Sequence, residues 1–181
     1  MTFGTVLPLA LLVLLVFVLA LLARRAARAL AVSRAANAFE AEVTALSGRM
    51  TPIVDELVRL IDAVRRHQLP ANESREALGA ARSAFESERD AVTGWSTPPG
   101  LTALVGDLAA DLERLARAAE TIDFGTQLTV TGTSHQRELE AQTAIKRGYL
   151  NLLHARQSFQ DHVGLISSRM KAAKARRQAR A

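Results

Sequence analysis

The chain has 181 residues, with 23 Lys+Arg against 18 Asp+Glu, a net charge of +5, ten glycines, five prolines and no cysteine. The missing cysteines exclude disulfide frameworks, thiolate metal sites, redox motifs and a cysteine nucleophile. Few strand-forming runs and no low-complexity tracts leave an all-α protein as the expectation, with one membrane segment and one small domain at this length.

The first predicted element is an apolar run. Residues 1 to 23 contain no charged side chain, and Phe3 to Ala23 reads FGTVLPLALLVLLVFVLALLA. As a helix rising ~1.5 Å per residue it spans roughly 30 Å, the thickness of a bilayer's hydrocarbon core. Its length, and the absence of Lys or Arg before it, favour a single N-terminal transmembrane helix over a cleaved signal peptide. Arg24, Arg25, Arg28 and Arg34 come directly after it. Basic flanks tend to stay on the cytoplasmic side, so the N-terminus is expected outside the cell membrane and the helical domain in the cytoplasm.

Three breaks divide the rest of the chain: HQLPANES (His67 to Ser74), TGWSTPPG (Thr93 to Gly100) and DFGTQLTVTGT (Asp123 to Thr133). Asn72 is placed to cap the second helix, Thr97 and Pro98 to cap and open the third, and Thr133 with Gln136 to form a capping box for the fourth. Between the breaks apolar residues recur at alternating steps of four and three, the signature of a packed helical face. The first helix gives Val32, Ala36, Phe39, Val43, Leu46, Met50, Ile53, Leu57, Leu60 and Val64; the second gives Leu78, Ala81, Phe85, Glu88, Val92 and Trp95. The third gives Leu101, Val105, Leu108, Leu112, Leu115, Ala119 and Ile122, and the fourth Ile145, Tyr149, Leu152, Arg156, Phe159, Val163, Ile166, Met170 and Ala173.

Lengths then suggest the architecture. The first and fourth helices, about 45 residues each (~68 Å), enclose a second and third of about 23 (~35 Å), and short connections favour antiparallel neighbours. The expectation is an antiparallel four-helix bundle with two long and two short helices, a two-helix stalk below a four-helix head. Its parts are a transmembrane anchor (1–23), the bundle and stalk (24–168) and a basic C-terminal tail (169–181). A homodimer is the simplest way to cover an exposed stalk seam. Pro52, four residues after Gly48, is expected to kink the first helix.

Charge is segregated. Residues 24 to 34 carry +4 and residues 169 to 181 carry +6, which leaves −5 for residues 35 to 168. Arg24, Arg25, Arg28, Lys171, Lys174, Arg176, Arg177 and Arg180 are therefore read as a membrane-surface set that meets anionic lipid. Lipid is favoured over nucleic acid, because no aromatic side chains interleave the basic ones to stack on bases.

No motif for chemistry emerges. His154 and His162 are eight residues apart on one helix, ~12 Å along its axis, which is too far for one metal. Phosphate-binding, nucleophile-elbow and Glu-x-x-His motifs are missing, and the DFG at Asp123 to Gly125 lacks every companion kinase motif. No enzyme activity and no cofactor are expected. His67 in its turn and His135 at a helix start read as solvated surface positions.

Glu88 and Arg156 are the two polar residues on apolar seams, either paired with each other or sitting at solvated edges. Asn151, His154, Ser158, Asp161 and His162 form a polar stripe beside the fourth seam, readable as a solvated face or as a partner-binding one. Trp95, and Phe124, Leu128 and Val130 in the third break, are candidate aromatic and apolar anchors. Together these features point to a non-catalytic, membrane-anchored adaptor or scaffold that binds membrane lipids and a protein partner of unknown identity. A membrane-linked sensor or signal relay, and an extracytoplasmic bundle of reversed topology, are the alternatives.

Overall fold

The structure, a computed structural model, describes residues 3–131 and 135–179, with side chains described at 14–28, 30–129, 135–176 and 178–179. Among the described residues it is all-helical: α1 (Phe3–Arg65), a one-turn 3-10 helix (Ala71–Ser74), α2 (Arg75–Thr93), α3 (Thr102–Thr131) and α4 (His135–Gln178). The chain divides into two compact units, Met1–Ala38 and Phe39–Ala181.

The first unit belongs to α1. From Leu14 to Leu22 its large apolar side chains stand outward, each between 43% and 60% exposed. Among the described residues no helix is long and apolar enough to cross a membrane. The front of the apolar run, up to Val13, lies outside the residues whose side chains are described.

In the second unit the apolar seams become the core. The remainder of α1 buries Phe39, Val43, Leu46, Met50, Val54, Leu57, Ile61 and Val64. Val54 and Ile61 replace the expected Ile53 and Leu60, which lie half-buried beside them. A helix of 3.6 residues per turn drifts from a strict 3.5 repeat, and two successive steps of four near Met50 absorb the difference. The helical assignment of α1 runs unbroken through Pro52.

The turns show where side-chain propensity and packing part company. α1 ends with His67 in the left-handed region (φ 56°), its N–H bonded to the Val64 carbonyl while the Gln68 N–H reaches Ala63. This is a Schellman arrangement with histidine in the seat usually given to glycine. Asn72 does not cap α2: it lies inside the 3-10 turn, and its carbonyl accepts the Arg75 N–H. Nor does α3 open at Thr97 and Pro98. Pro98 accepts the Leu101 N–H across Pro99 and Gly100, and Gly100 has φ +85°, the geometry of a type II turn, which no helix can contain. Thr133 of the expected capping box lies outside the described residues, and Gln136 instead bonds Glu140 one turn on.

The third break differs most. Asp123 to Thr131 is not loop but the last turns of α3. Ile122, Gly125 and Thr126 continue its buried face, and Thr126 and Thr129 return their hydroxyl protons to carbonyls three residues back. Packing against α4 overrides the weak helix propensity of this Gly- and Thr-rich stretch.

α3 packs on both α2 and α4. Its contact with α4 rests on a repeated pattern, Ala-x-x-x-Ile-x-x-Gly, at Ala118, Ile122 and Gly125 and again at Ala141, Ile145 and Gly148. A Cβ at Gly125 would meet Ile145 Cγ1 at 2.7 Å, the Ile145 backbone N at 2.9 Å and the Ala141 carbonyl at 3.0 Å. A Cβ at Gly148 would meet Ile122 Cγ1 at 2.5 Å, the Ile122 N at 3.1 Å and the Ala118 carbonyl at 3.2 Å. Antiparallel helices bearing one spacing meet reciprocally, each isoleucine lying over the other helix's glycine. The close approach sets the register of everything polar on this face.

Candidate interaction face on α3 and α4

The site is built on that register. Ser158 and His162 lie one turn apart on α4 and so share a face. Opposite them on α3 is Asp111, with no exposed surface although it is charged. The Ser158 hydroxyl donates to Asp111 Oδ1 at 2.8 Å, Arg114 Nη1 donates to the same oxygen at 2.6 Å, and His162 Nδ1 lies 2.5 Å from Oδ2. An ionised carboxylate only accepts, so Nδ1 carries the imidazole proton. The other ring nitrogen, Nε2, faces Asp107 at 4.0 Å. Asp111 thus exchanges its lost hydration for three donors, which is what makes a buried carboxylate tolerable.

Serine, histidine and aspartate do meet here, but not as a hydrolytic relay. In such a relay the serine proton goes to the imidazole and the aspartate holds the imidazole's far side. Here the hydroxyl and the imidazole both donate to one carboxylate, and the arrangement holds α4 to α3. Among the described residues no group of three metal-ligating side chains converges.

Of the predicted stripe, Asn151, His154 and Asp161 are exposed, whereas Ser158 and His162 are half-buried through Asp111. Next to it runs a groove of about 580 Å³ between α3 and α4. Arg114 and Arg117 rise from α3 and Arg147 from α4, with Asn151 and His154 beside them, over a floor of buried Ala118 and Ala155. Arg117 Nη2 pairs with Glu113, which also accepts from Arg89; these two guanidinium groups, Arg117 first, hold the Glu113 carboxyl below its ordinary value.

The remaining candidates scatter. Trp95 is half-buried, edge-on to Phe39 with centroids 5.8 Å apart, so it closes the base of the core. Phe124 belongs to α3 rather than a loop and is 56% exposed. Leu128 lines a second cleft, about 890 Å³, which also brings together His67, His135 and Glu138 at the opposite end of the unit. The Val130 side chain lies outside the described residues. Arg24, Arg25, Arg28, Lys171, Lys174 and Arg176 are exposed, and the Arg177 side chain and Arg180 lie outside the described residues.

Glu88 and Arg156 do not pair with each other. Glu88 takes a two-toothed bond from Arg49 (2.7 and 2.8 Å), and Arg156 bonds Asp55 at 2.8 Å while its buried Nε makes no hydrogen bond.

Sequence reasoning missed Asp111, Arg114, Arg117 and Arg147. A signal for the first existed: Leu104, Leu108, Asp111, Leu115, Ala118 and Ile122 form a second stripe on α3 with a single carboxylate inside it. The chain matches no family model, no curated protein and no solved structure.

Proposed function

We propose that this chain is a non-catalytic, single-pass membrane-anchored adaptor whose helical unit binds a protein partner in the cytoplasm. The observation that carries the reading is the uncharged run from Phe3 to Ala23 with arginines only behind it. The outward apolar side chains from Leu14 to Leu22 support it, since contiguous exposed apolar surface marks a membrane or protein contact. Exposed Lys171, Lys174 and Arg176 add a second basic cluster suited to anionic lipid. The reading of a binding rather than catalytic protein draws on the bonding around Asp111, which engages the serine and histidine in structure.

Photo-crosslinkers at Leu128 and His154 in intact membranes test it. A specific cytoplasmic protein recovered from either position supports the adaptor; only self-crosslinks or lipid refute it in favour of a self-assembling element or a relay. Orientation is read separately. The chain has no cysteine, so a single cysteine at Ala179 reports which side of the membrane is labelled. Labelling from outside intact cells overturns the cytoplasmic placement.

A further inference from the structure

We infer that the groove between α3 and α4 is a docking site for an acidic segment of a protein partner, gripped by Arg114, Arg117 and Arg147. The inference rests on the adaptor reading and names the chemistry of its partner.

The groove owes its form to small residues. Because Gly148 lets the helices touch, the floor is Ala118 and Ala155, 1% and 3% exposed, and the walls are long side chains that reach above it. None of the residues that line it is acidic. Two of its cations are partly engaged, Arg114 by Asp111 and Arg117 by Glu113, yet their side chains remain 60% and 73% exposed. Arg147 is exposed and makes no ion pair among the described residues, so its guanidinium faces the groove without a counter-charge from them. A guanidinium presents several N–H donors in a fixed fork, so an engaged arginine can still take a second carboxylate.

Spacing argues for a chain rather than a compact anion. Asp111 beside Ser158 and Ile122 beside Gly148 fix the register. Counting from these pairs, Arg147 lies level with Ile122 or Asp123, Arg117 with Leu152 or Leu153, and Arg114 with Ala155 or Arg156. At ~1.5 Å per residue the three cations occupy successive levels ~8 and ~5 Å apart, ~13 Å in all. A single phosphate meets one or two of them. Acidic side chains spread over a little more than two turns of a helix, i to i+8 covering ~12 Å of rise, span all three, as in helix-in-groove recognition.

Nucleic acid fits less well. No Phe, Tyr or Trp lines the groove to stack on a base. The bundle segment around it, residues 35 to 168, carries −5, which repels a long polyanion but leaves room for a short acidic segment at one basic strip.

The test measures fluorescence anisotropy of a labelled eight-residue oligoglutamate on the full chain in neutral-lipid nanodiscs. The result expected is salt-sensitive binding that falls at least tenfold in Arg117→Gln/Arg147→Gln and less than twofold in Lys171→Gln/Lys174→Gln/Arg176→Gln. Arg147→Gln alone breaks no ion pair among the described residues and is expected to cost about threefold, with an unchanged helical circular dichroism spectrum, which covers the case where the double variant unfolds. Equal binding by the groove variants, loss in the tail variant instead, displacement by equimolar pyrophosphate, or equally tight binding of a single-stranded RNA through the same arginines would each overturn the inference. Crosslinking from His154 in intact membranes is repeated with Arg147→Gln: an undiminished yield of the partner leaves the adaptor standing and removes the groove.

Discussion

The reciprocal glycine contact makes a prediction whose sign is set by the structure. Replacing a helical glycine by alanine ordinarily stabilises by about 1 kcal/mol, because alanine loses less backbone freedom. Gly106 on α3 and Gly164 on α4 have nothing within 4 Å of an added Cβ, so they should show that gain. At Gly125 the added carbon stands 2.9 Å from a backbone nitrogen and 3.0 Å from a backbone carbonyl of α4, and rotamer changes cannot relieve either contact. Forcing packed helices apart costs about 1–3 kcal/mol, and more where backbone must move. Set against the propensity gain, Gly125→Ala should be destabilising by about 1–2 kcal/mol, so it differs from Gly106→Ala by ~2–3 kcal/mol. At roughly 2–4 °C per kcal/mol for a chain of this size, thermal melts followed by circular dichroism should separate the two by ~4–12 °C. Gly148→Ala should fall on the same side as Gly125→Ala. If all four substitutions raise the midpoint alike, the helices do not touch here and the register derived from the contact fails with it.

Asp111→Ala leaves Ser158, His162 and Arg114 without their shared acceptor and should cost about 2–4 kcal/mol, with Asp111→Asn intermediate because it keeps one carbonyl oxygen; an unchanged melting midpoint would show that the carboxylate is not buried among these donors. His67→Gly relieves a left-handed residue and should stabilise by about 0.5–1 kcal/mol, which a denaturant midpoint can resolve. A double-mutant cycle on Glu88 and Arg156 should give no coupling energy, whereas Glu88 with Arg49 should give about 0.5–1 kcal/mol for a half-exposed pair. Hydrogen bonds from Arg117 and Arg89 lower Glu113, and one from Arg59 lowers Glu56, so in a carbon-detected titration both should have midpoints below the ordinary 4.5. Their stabilisation is present above that ordinary value and is lost as pH falls through the lower folded one, so acid rather than base should weaken these ion pairs.

The helical class and the buried seams were legible in the chain because a stripe such as Leu108, Leu112, Leu115 and Ile122 has no competing explanation. The turns were legible only as turns. Pro98, Pro99 and Gly100 announce a break, but whether proline opens a helix or a type II turn depends on the glycine φ two residues later, which sequence does not state. The stretch from Asp123 to Thr131 failed for a deeper reason. Glycine and threonine raise flexibility in a loop and permit close approach in a helix crossing, so composition reads the same in both cases. What distinguishes them is the partner, and the repeated Ala-x-x-x-Ile-x-x-Gly spacing on two helices was the one clue to it.

The polar residues obey the same logic. A stripe containing Asn151, His154, Ser158, Asp161 and His162 is visible on α4, but its division into exposed and half-buried members is decided by Asp111 on another helix, through a register that the glycine contacts set. Glu88 and Arg156 make the point quantitatively. Each is fixed by a charge on α1, Arg49 for the one and Asp55 for the other, and those two anchors are six residues apart. Six residues of helix rise ~9 Å, beyond the reach of a direct hydrogen bond once each side chain is extended toward its own partner. Opposite charges on facing seams therefore did not find each other; the longer helix between them offered each a nearer counter-charge at its own level, and the pairing that sequence could not choose was chosen by rise per residue.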